Sequence, residues 1–504
     1  MKDLYHSLLD HNLAMLRAIA EGWGLALNTN RQAEAAKYLA GEMPHPEKVG
    51  GILENLSEKE REALEAVAAA GGRMKAHLFH HYYGHLRPLG PGRLELERPW
   101  LSPTTPAERL WYLGFIFKSF AEVEGYRTEF VYIPTDLLLL LPPVESPTFS
   151  VAETHTPERV RQREKGLVWD VFDFLCYLQN EGVRAVRSGL LPRPDVEKLC
   201  QLLAEQGEGA AEAENKLAFI FHLCQAMELI TVRDGFLKPY PPRAKEWLKE
   251  RRAKQFFSLA ATWREDKTWN ELRQVEDLRC EDTGWSNDPL LARRKLLEHL
   301  SRCRAGRWLS LDSFIAAVKK FDPDFQRPDG DYASWYIRHA STGEYLMGFE
   351  RWDEVEGALI KYIIGRPLWW LGEVALGYAA DEESFSCFLI TSWGEALLKL
   401  KEGEEITLPE EGEEPEPLTV ETDFTIRVPA GTDLYKRFQL ERFAQAESRG
   451  EEALYRLTRR SLERARRQGI SAQMILNFLR RNAAGKLPSN VERALQRWEG
   501  EAEP

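Results

Sequence analysis

Apolar side chains recur at intervals of three and four residues along most of the chain, which is the spacing of amphipathic helices. Residues 3–19 show this pattern first, and Ser57 and Glu60 form a capping box ahead of a second apolar stripe. Pro106 ends a turn at residues 103–106 that should open another helix. Residues 128–134 instead alternate between aromatic or β-branched and polar side chains, and therefore predict a strand.

The same succession of helices and strands returns further along the chain. An apolar helical pattern covers residues 217–229, and residues 230–237 predict a β-hairpin. Residues 353–364 predict a helix, 385–391 a strand and 393–400 a short helix. Helices closed by a strand pair are typical of the winged helix, a variant of the helix-turn-helix. The irregular spacing predicts a loose array and not a strict solenoid.

The pattern changes after residue 400. Residues 401–417 contain eight Glu and three Pro and can bury little surface, so they predict a solvated linker. A small α/β unit is predicted after it. Its strands are expected at 418–428 and 453–457, a helix at 433–446, and further helices starting at Thr458 or Ser461, at Ser471 and at Pro488.

We therefore predict a mainly α protein with small β-wings, an α+β fold of tandem winged-helix-like domains followed by a small C-terminal α/β module. The predicted parts are an N-terminal helical or winged-helix-like domain at 1–143, a second winged-helix-like domain at 150–265, a third at 266–400, the acidic linker at 401–417 and the module at 418–500.

Composition, cysteine usage and the apolar runs indicate where in the cell the protein is expected. The 504 residues carry a net charge of −12 and are 43% hydrophobic, which fits a folded, soluble protein. Six scattered cysteines form no C-x-x-C pair, so we expect reduced thiols in a cytoplasmic protein. The N-terminus lacks the apolar region of a signal peptide, and the apolar run 137–141 is too short to span a bilayer. No membrane partner is expected.

Basic charge is concentrated in the tail. Residues 418–504 hold sixteen Lys or Arg and twelve Asp or Glu, a local excess of +4. Arg460, Arg464 and Arg467 follow one helical stripe that could track phosphates, with a salt-dependent affinity. The alternatives are a solvated face or a surface for an acidic partner. The candidate nucleic-acid-binding residues are Arg456, Arg459, Arg460, Arg464, Arg467, Arg480, Arg481 and Lys486.

Catalytic motifs are weak. Gly485-Lys486 lacks the rest of a phosphate-binding loop, so neither a nucleotide cofactor nor an ATP-driven motor is expected. Asp322, Asp324, Asp329 and Asp331 could form a two-metal nuclease site, although Pro and Gly between them favour an ordinary turn-rich loop.

Two other groups have a simple structural interpretation. His77, His80, His81 and His85 are spaced for metal binding, but no carboxylate lies at the usual offset, so no metal is expected and an exposed or nucleic-acid-facing helix is favoured. Trp369-Trp370 could stack bases but are expected in the core.

The tail resembles a known module. The matching segments are 419–429, 455–469, 471–479 and 487–491. In this order they are similar to the helicase-associated domain found near the N-terminus of xeroderma pigmentosum B-type DNA helicases and their bacterial relatives. The first 400 residues resemble only loosely the winged-helix segments that precede this domain in bacterial helicase-associated proteins.

The resemblance implies DNA repair or transcription-linked DNA handling beside a superfamily 2 helicase or repair factor. The order of winged helices followed by this module is also similar to the subunit of general transcription factor IIH that clamps the B-type helicase. Our leading hypothesis is a non-enzymatic, DNA-binding accessory protein with no catalytic residues. A protein-interaction scaffold without DNA affinity and a metal-dependent nuclease are the alternatives.

Overall fold

The computed structural model describes residues 1–145, 148–163, 166–186, 190–204, 208–380, 382–400, 416–450 and 452–500. It divides the chain into two compact units. Unit 1 comprises Met1–Ser150 and Asp322–Trp335, and unit 2 comprises Val151–Phe321 and Tyr336–Pro504. The predicted linker, 401–417, lies outside the described residues except for its last two positions. No helix among the described residues is long and apolar enough to cross a membrane.

The predicted fold class, mainly α with small antiparallel sheets, is confirmed. The elements of unit 1 are α1 (Leu4–Leu8), α2 (Leu13–Gly22), α3 (Gln32–Glu42), α4 (Pro46–Glu54), α5 (Glu58–Ala69), β1 (Arg73–Lys75), α6 (Ala76–Tyr83), α7 (Pro91–Glu97), a 3₁₀ turn (Pro99–Leu101), α8 (Pro106–Tyr112), β2 (Phe117–Val123), β3 (Tyr126–Tyr132) and α9 (Thr135–Leu138).

Local signals set several of these boundaries. Ser57 and Glu60 form the predicted capping box of α5. The single apolar pattern over 3–19 is two helices, because Asn12 caps a new helix by accepting a hydrogen bond from the Met15 backbone N–H. The predicted strand at 128–134 is β3, which pairs with β2 and β1 in the sheet order β1-β3-β2.

The aspartate-rich segment 322–335 packs within unit 1 around one buried carboxylate. Asp324 has 1% of its side chain exposed and lies 2.8 Å from Lys75 Nζ and 3.0 Å from His77 Nε2. The Tyr332 hydroxyl donates to the same carboxylate at 2.7 Å. Gly330 has a φ of +71°, and a Cβ there would lie 2.2 Å from the His77 ring. Asp324 therefore holds the segment in place.

The elements of unit 2 before residue 401 are β4 (Arg159–Arg161), α10 (Val168–Glu181), α11 (Arg193–Leu203), α12 (Ala210–Ala226), β5 (Ile230–Arg233), β6 (Phe236–Pro239), α13 (Pro241–Lys249), α14 (Arg252–Glu265), a 3₁₀ turn (Glu271–Gln274), β7 (Leu278–Cys280), α15 (Pro289–Ser301), β8 (Trp308–Ser310), α16 (Leu311–Phe321), β9 (Ile337–His339), a 3₁₀ turn (Phe349–Arg351), α17 (Ala358–Ile363), β10 (Val374–Tyr378), β11 (Cys387–Ile390) and α18 (Ser392–Leu398). Two π-helical turns, Asp353–Gly357 and Ile364–Leu368, flank α17.

Three sets of elements share the order helix, strand, helix, helix, strand, strand when intervening elements are set aside, namely α7 and a 3₁₀ turn in the first set and β9, a 3₁₀ turn and the two π-helical turns in the third. Each time the first strand pairs with the last one. The three sets are α5-β1-α6-α8-β2-β3, then α10, residue Arg184, α11-α12-β5-β6, and finally α15-β8-α16-α17-β10-β11. The corresponding pairs are β1 with β3, Arg184 with Phe236, and β8 with β11. The repeat of helices and strand pairs expected from the sequence is thus present, with an additional first strand in each copy.

The C-terminal module has one antiparallel sheet in the order β12-β13-β15-β14 and four helices among its described residues. Its elements are β12 (Thr419–Val420), β13 (Thr425–Val428), α19 (Leu434–Phe443), β14 (Gln445–Ser448), β15 (Ala453–Arg456), α20 (Arg459–Arg467), α21 (Ala472–Asn482) and α22 (Ser489–Gly500).

Two predictions for this module are wrong. The single strand expected at 418–428 is a hairpin, because Asp423 accepts the Thr425 N–H and Phe424 takes a left-handed φ of 73° at the turn. The helix expected to reach residue 446 ends at Phe443, where Ala444 turns to extended backbone and β14 begins.

We predict that Asp324→Ala will loosen the segment 322–335. The change removes the shared partner of Lys75 and His77, and breaking a buried pair of this kind costs about 3–5 kcal/mol. Hydrogen exchange of the segment in the full chain should therefore become much faster. Asp329→Ala is the matched control, because Asp329 is exposed and accepts only a turn hydrogen bond from the Asp331 N–H. Equal exchange in both variants would contradict this role of Asp324.

The pKa of Asp324 predicts that the stability of the protein falls at acid pH. Burial alone would raise the pKa of Asp324, but the hydrogen bond from His77 and the charge of Lys75 outweigh it and lower the pKa. Its stabilisation is therefore fully present above the ordinary aspartate pKa of about 3.9 and is lost as the pH falls through the lower folded-state value.

Candidate nucleic-acid interface

The arginine-rich helix α20 starts and ends where its sequence requires. Thr458 and Ser461 form a capping box at its start, and Gly469, with a φ of +76°, follows its end. Leu462 and Ala465 pack inward against the core of the module. The arginines of this helix consequently occupy the remaining faces.

Arg464, the central residue of the predicted stripe, is turned inward. Its Nη2 donates to the carbonyl oxygens of Glu441 and Ala444 at 2.8 and 2.7 Å. These carbonyls lie at the C-terminal end of α19, where helix carbonyls carry partial negative charge. Burial lowers the pKa of Arg464, and its guanidinium is only partly exposed. The predicted stripe is therefore interrupted, and Arg464 holds α20 against α19.

Two other candidates are paired within the module. Arg456 contacts the carboxylates of Glu447 and Asp423, and Arg480 Nη2 lies 2.8 Å from Glu492 Oε1. Their charges are partly neutralised before any ligand binds. Solvent screens ion pairs at such exposed positions, so a phosphate can compete for either arginine.

The remaining basic candidates are exposed. Arg460, Arg467, Arg481 and Lys486 have no carboxylate within ion-pair distance in the described part of the chain. Arg459, which is also exposed, lines a separate groove. Other residues of this groove are Leu462, Arg466, Ile475 and Trp498. The helix thus presents arginines on two faces, and the free charge lies mainly on the one that carries Arg460 and Arg467.

The module is docked on the upstream helix α10. The Gln468 side chain hydrogen-bonds both Gln179 and Asn180, at 2.9 and 2.8 Å. The ring of Trp169 is contacted by two guanidinium groups, Arg252 at 4.7 Å and Arg437 at 5.1 Å from its centroid. The module and α10 belong to the same compact unit. Its basic residues are therefore presented on a fixed support.

A charge cluster that is partly open to solvent at Arg449 lies at the centre of this contact. Arg449 Nη1 lies 3.6 Å from Asp173 Oδ1 of α10, and Arg449 Nη2 lies 3.2 Å from Glu441 Oε2 of α19. Burial raises the pKa of Asp173 to about 7, although Arg449 opposes the shift. One arginine is thus shared between two carboxylates, one from each side of the docked contact.

The third helix of each repeated set offers little surface for DNA. No residue of α8 is exposed, and α12 exposes no Lys or Arg. Of the segment 353–368, only Asp353 and Lys361 are exposed. A helix-turn-helix protein reads base edges with an exposed helix in the major groove. α8 and the segment 353–368 are largely buried in their own units, and the exposed side of α12 carries no basic side chain, so none of the three is suited to reading base edges in this arrangement.

The histidine candidates do not converge on one point. His77 pairs with Asp324, and His80 Nδ1 lies 3.0 Å from the Gly84 carbonyl oxygen while its ring stacks on His85. His81 makes an edge contact with Tyr82. The described residues contain no group of three or more His, Cys, Asp or Glu arranged to hold a metal ion.

The aspartate candidates of the nuclease alternative are occupied by turn geometry. Asp329 accepts a hydrogen bond from the Asp331 N–H, and Asp331 accepts from the N–H groups of Ala333 and Ser334. Asp324 is the buried partner of Lys75. Trp369 and Trp370 lie in the core, where they cannot stack on an incoming base.

Comparison with known families adds one assignment. Residues 418–500 match the family described as Helicase conserved C-terminal domain. The match spans the sheet and helices of the module, and we now call this part the helicase-associated domain. A search of curated proteins gave no match to the chain. The domain match indicates a helicase-related function.

We predict that Arg464→Ala will destabilise the helicase-associated domain by about 1–3 kcal/mol, because two charged hydrogen bonds to backbone carbonyls are removed. Arg460→Ala removes the same charge from an exposed position and should change stability by no more than about 0.5 kcal/mol. Urea unfolding of the full chain, followed by circular dichroism, compares the two. Equal destabilisation would contradict the assigned role of Arg464.

We also predict a pH dependence from Asp173. Its folded-state pKa of about 7 lies above the ordinary value of about 3.9, so the folded protein binds this proton more tightly. Stability should fall as the pH rises from about 4 to 7 and then level off. Asp173→Asn should remove this part of the dependence and make the protein relatively more stable at pH 8.

Urea midpoints at pH 5 and pH 8 test this prediction. Asp234→Asn is the control, since Asp234 is exposed at the tip of the β5–β6 hairpin. Identical pH profiles for the wild type and Asp173→Asn would show that the buried carboxylate does not titrate as described.

Proposed function

We propose that this protein is a non-enzymatic accessory protein of a superfamily 2 helicase in DNA repair or transcription. It acts by docking on DNA, on the helicase, or on both. The observation that carries the proposal is the helicase family match at 418–500 in a domain docked on a helical unit. The likeness to the xeroderma pigmentosum B-type domain supports the same assignment.

The repeated element order supports a winged-helix interpretation of the upstream sets. Helix, strand, helix, helix, strand, strand is the order of a winged helix, and pairing of the first strand with the last is part of that arrangement. Because the third helices are largely buried or carry no exposed basic side chain, these sets act as rigid supports and docking surfaces. Sequence-specific reading of base edges is not part of the proposal.

The chemistry proposed for the helicase-associated domain is phosphate neutralisation. Arg460, Arg467, Arg481 and Lys486 are exposed and can contact a sugar-phosphate backbone without breaking an existing ion pair. Backbone contacts position a protein on DNA but carry no sequence information. The expected activity is therefore binding to duplex or forked DNA with low sequence preference.

A scaffold without DNA affinity is the second candidate function. The burial of α8 and of most of α17 favours it, as do the lack of exposed Lys or Arg on α12 and the net charge of −12. In that case the exposed arginines would contact an acidic surface of the partner helicase. A nuclease function is not proposed, because three of the four aspartates considered for it, Asp324, Asp329 and Asp331, hold a buried ion pair or turns.

Fluorescence anisotropy with short duplex and forked DNA tests the proposal. We predict that the double variant Arg460→Gln/Arg467→Gln binds more weakly and shows a shallower salt dependence, by about 0.9 in the logarithmic slope for each phosphate that is no longer neutralised. Lys37→Gln/Lys59→Gln is the control, because both lysines are exposed in unit 1 and the change in net charge is the same.

No binding by the wild type at low salt would remove the DNA function and favour the scaffold. Equal weakening by the two double variants would mean that only net charge matters and that the helicase-associated domain does not contact DNA.

A further inference from the structure

A pair of lysines lies over one aromatic ring where α13 meets the helicase-associated domain. Lys245 and Lys249 are four residues apart on α13 and are therefore on one face. Their Nζ atoms lie 5.6 and 5.3 Å from the centroid of Tyr435, in the first turn of α19. Their backbones are about 6 Å apart along the helix axis, and both charges lie over the same ring.

These lysines differ from the cations around them in having no carboxylate partner. Neither has an ion pair within the described part of the chain, and both are exposed. Arg243, on the same helix, lies 3.6 Å from both Glu228 and Glu246, and Lys436 lies 3.1 Å from Asp433. In a protein of net charge −12, two adjacent unneutralised lysines leave a local positive charge that an external anion can satisfy.

A second arrangement of the same kind precedes α13. Arg184 and Lys238 lie 5.9 and 5.8 Å from the centroid of Phe236 on the β5–β6 hairpin, and neither has a carboxylate partner among the described residues. Only Tyr240 separates β6 from α13. From chain geometry, the Cα atoms of Lys238 and Lys245 are therefore no more than about 17 Å apart.

We propose that Lys245, Lys249 and Tyr435, preceded in the chain by the hairpin that carries Lys238, form a second DNA-backbone site, distinct from the arginines of α20. This inference rests on the proposed DNA-binding function and adds a contact that neither the tail charge nor the family match assigns. Lysine ammonium groups are compact point charges suited to phosphate oxygens, while the ring holds their aliphatic stems in place.

The site favours a nucleic-acid backbone over a protein surface. A protein interface needs a desolvated apolar centre in addition to charge. Here both lysine Nζ atoms lie over the Tyr435 ring, which is itself only partly exposed, so the feature offered to a ligand is a pair of cations. DNA bound at this point contacts α13 and α19 together, and so crosses the docked junction between the upstream helices and the helicase-associated domain.

The test compares Lys245→Gln/Lys249→Gln with Lys37→Gln/Lys59→Gln in the full chain, by fluorescence anisotropy on forked DNA at about 50 mM salt. We expect the affinity of the first variant to fall at least about fivefold and its logarithmic salt slope to decrease by about 1 to 2, as when one or two phosphates are no longer neutralised. The control should stay within about twofold of the wild type. Lys245→Arg/Lys249→Arg should retain binding, since it keeps both charges.

Two substitutions of Tyr435 separate the effect of the lysine charges from the effect of the ring that positions them. Tyr435→Phe keeps the aromatic face and should bind as the wild type does, whereas Tyr435→Leu should bind more weakly while both lysines remain. Thermal unfolding confirms that each variant is folded. If the leucine variant binds normally, the ring does not organise the site and that part of the proposal is overturned.

The experiments distinguish failure of the proposed DNA-binding function from failure of the lysine site alone. If the wild type binds no DNA, the proposed function and this site both fail. If the wild type binds DNA and Arg460→Gln/Arg467→Gln is weakened while Lys245→Gln/Lys249→Gln equals the control, only this site is overturned. If the lysine variant is weakened in binding to polyglutamate but not to DNA, the site takes an acidic protein segment and the proposal is wrong.

Discussion

The contact between α10 and the helicase-associated domain, where Arg449, Trp169 and Gln468 bring charged, aromatic and amide groups together, fixes the position of the domain on the helices before it. Arg449 is shared by Asp173 and Glu441, and the Trp169 ring is contacted by Arg252 from the upstream helices and by Arg437 from the domain. Glu441 is buried, and burying a carboxylate is costly unless a cation compensates for it, so the contact depends on the placement of Arg449. The domain is consequently a fixed part of unit 2, although an acidic segment precedes it in the sequence.

The docking of the domain determines which of its basic residues remain available to contact a ligand. Arg464 is used to hold α20 to α19, and Arg456 and Arg480 are paired with acidic neighbours. The charge left for a ligand comes from Arg460, Arg467, Arg481 and Lys486, with the lysine pair on α13 beside the first turn of α19. A protein of net charge −12 can thus bind a polyanion, because its positive charge is concentrated locally.

Local signals made much of the fold predictable. Capping at Ser57 and Ser471 and the hairpin at 230–237 were predicted from the sequence because neighbouring residues determine them, and of the two starts left open for α20 the structure has Thr458. The first strand of each repeated set was missed, since β1 and β8 are three residues long and Arg184 forms a single bridge. Strands this short depend on distant partners and leave no periodic pattern.

The candidate site was predictable only in part. The sequence located the basic tail, but helical spacing alone could not show that Arg464 points inward, because that depends on the C-terminal end of α19. The docking residues Asp173 and Arg449 are 276 positions apart and carry no shared motif. Lys245 and Lys249 lie in a mixed-charge helix, and only the ring of Tyr435 distinguishes them from other surface lysines.

The salt dependence of DNA binding by the full chain tests the account most directly. A protein that binds phosphates through a few exposed cations should give a straight line of log affinity against log salt, with a slope between about −3 and −5 for duplex and forked DNA alike. Absence of binding at about 50 mM salt with tens of micromolar protein, or an affinity that does not change with salt, would contradict it.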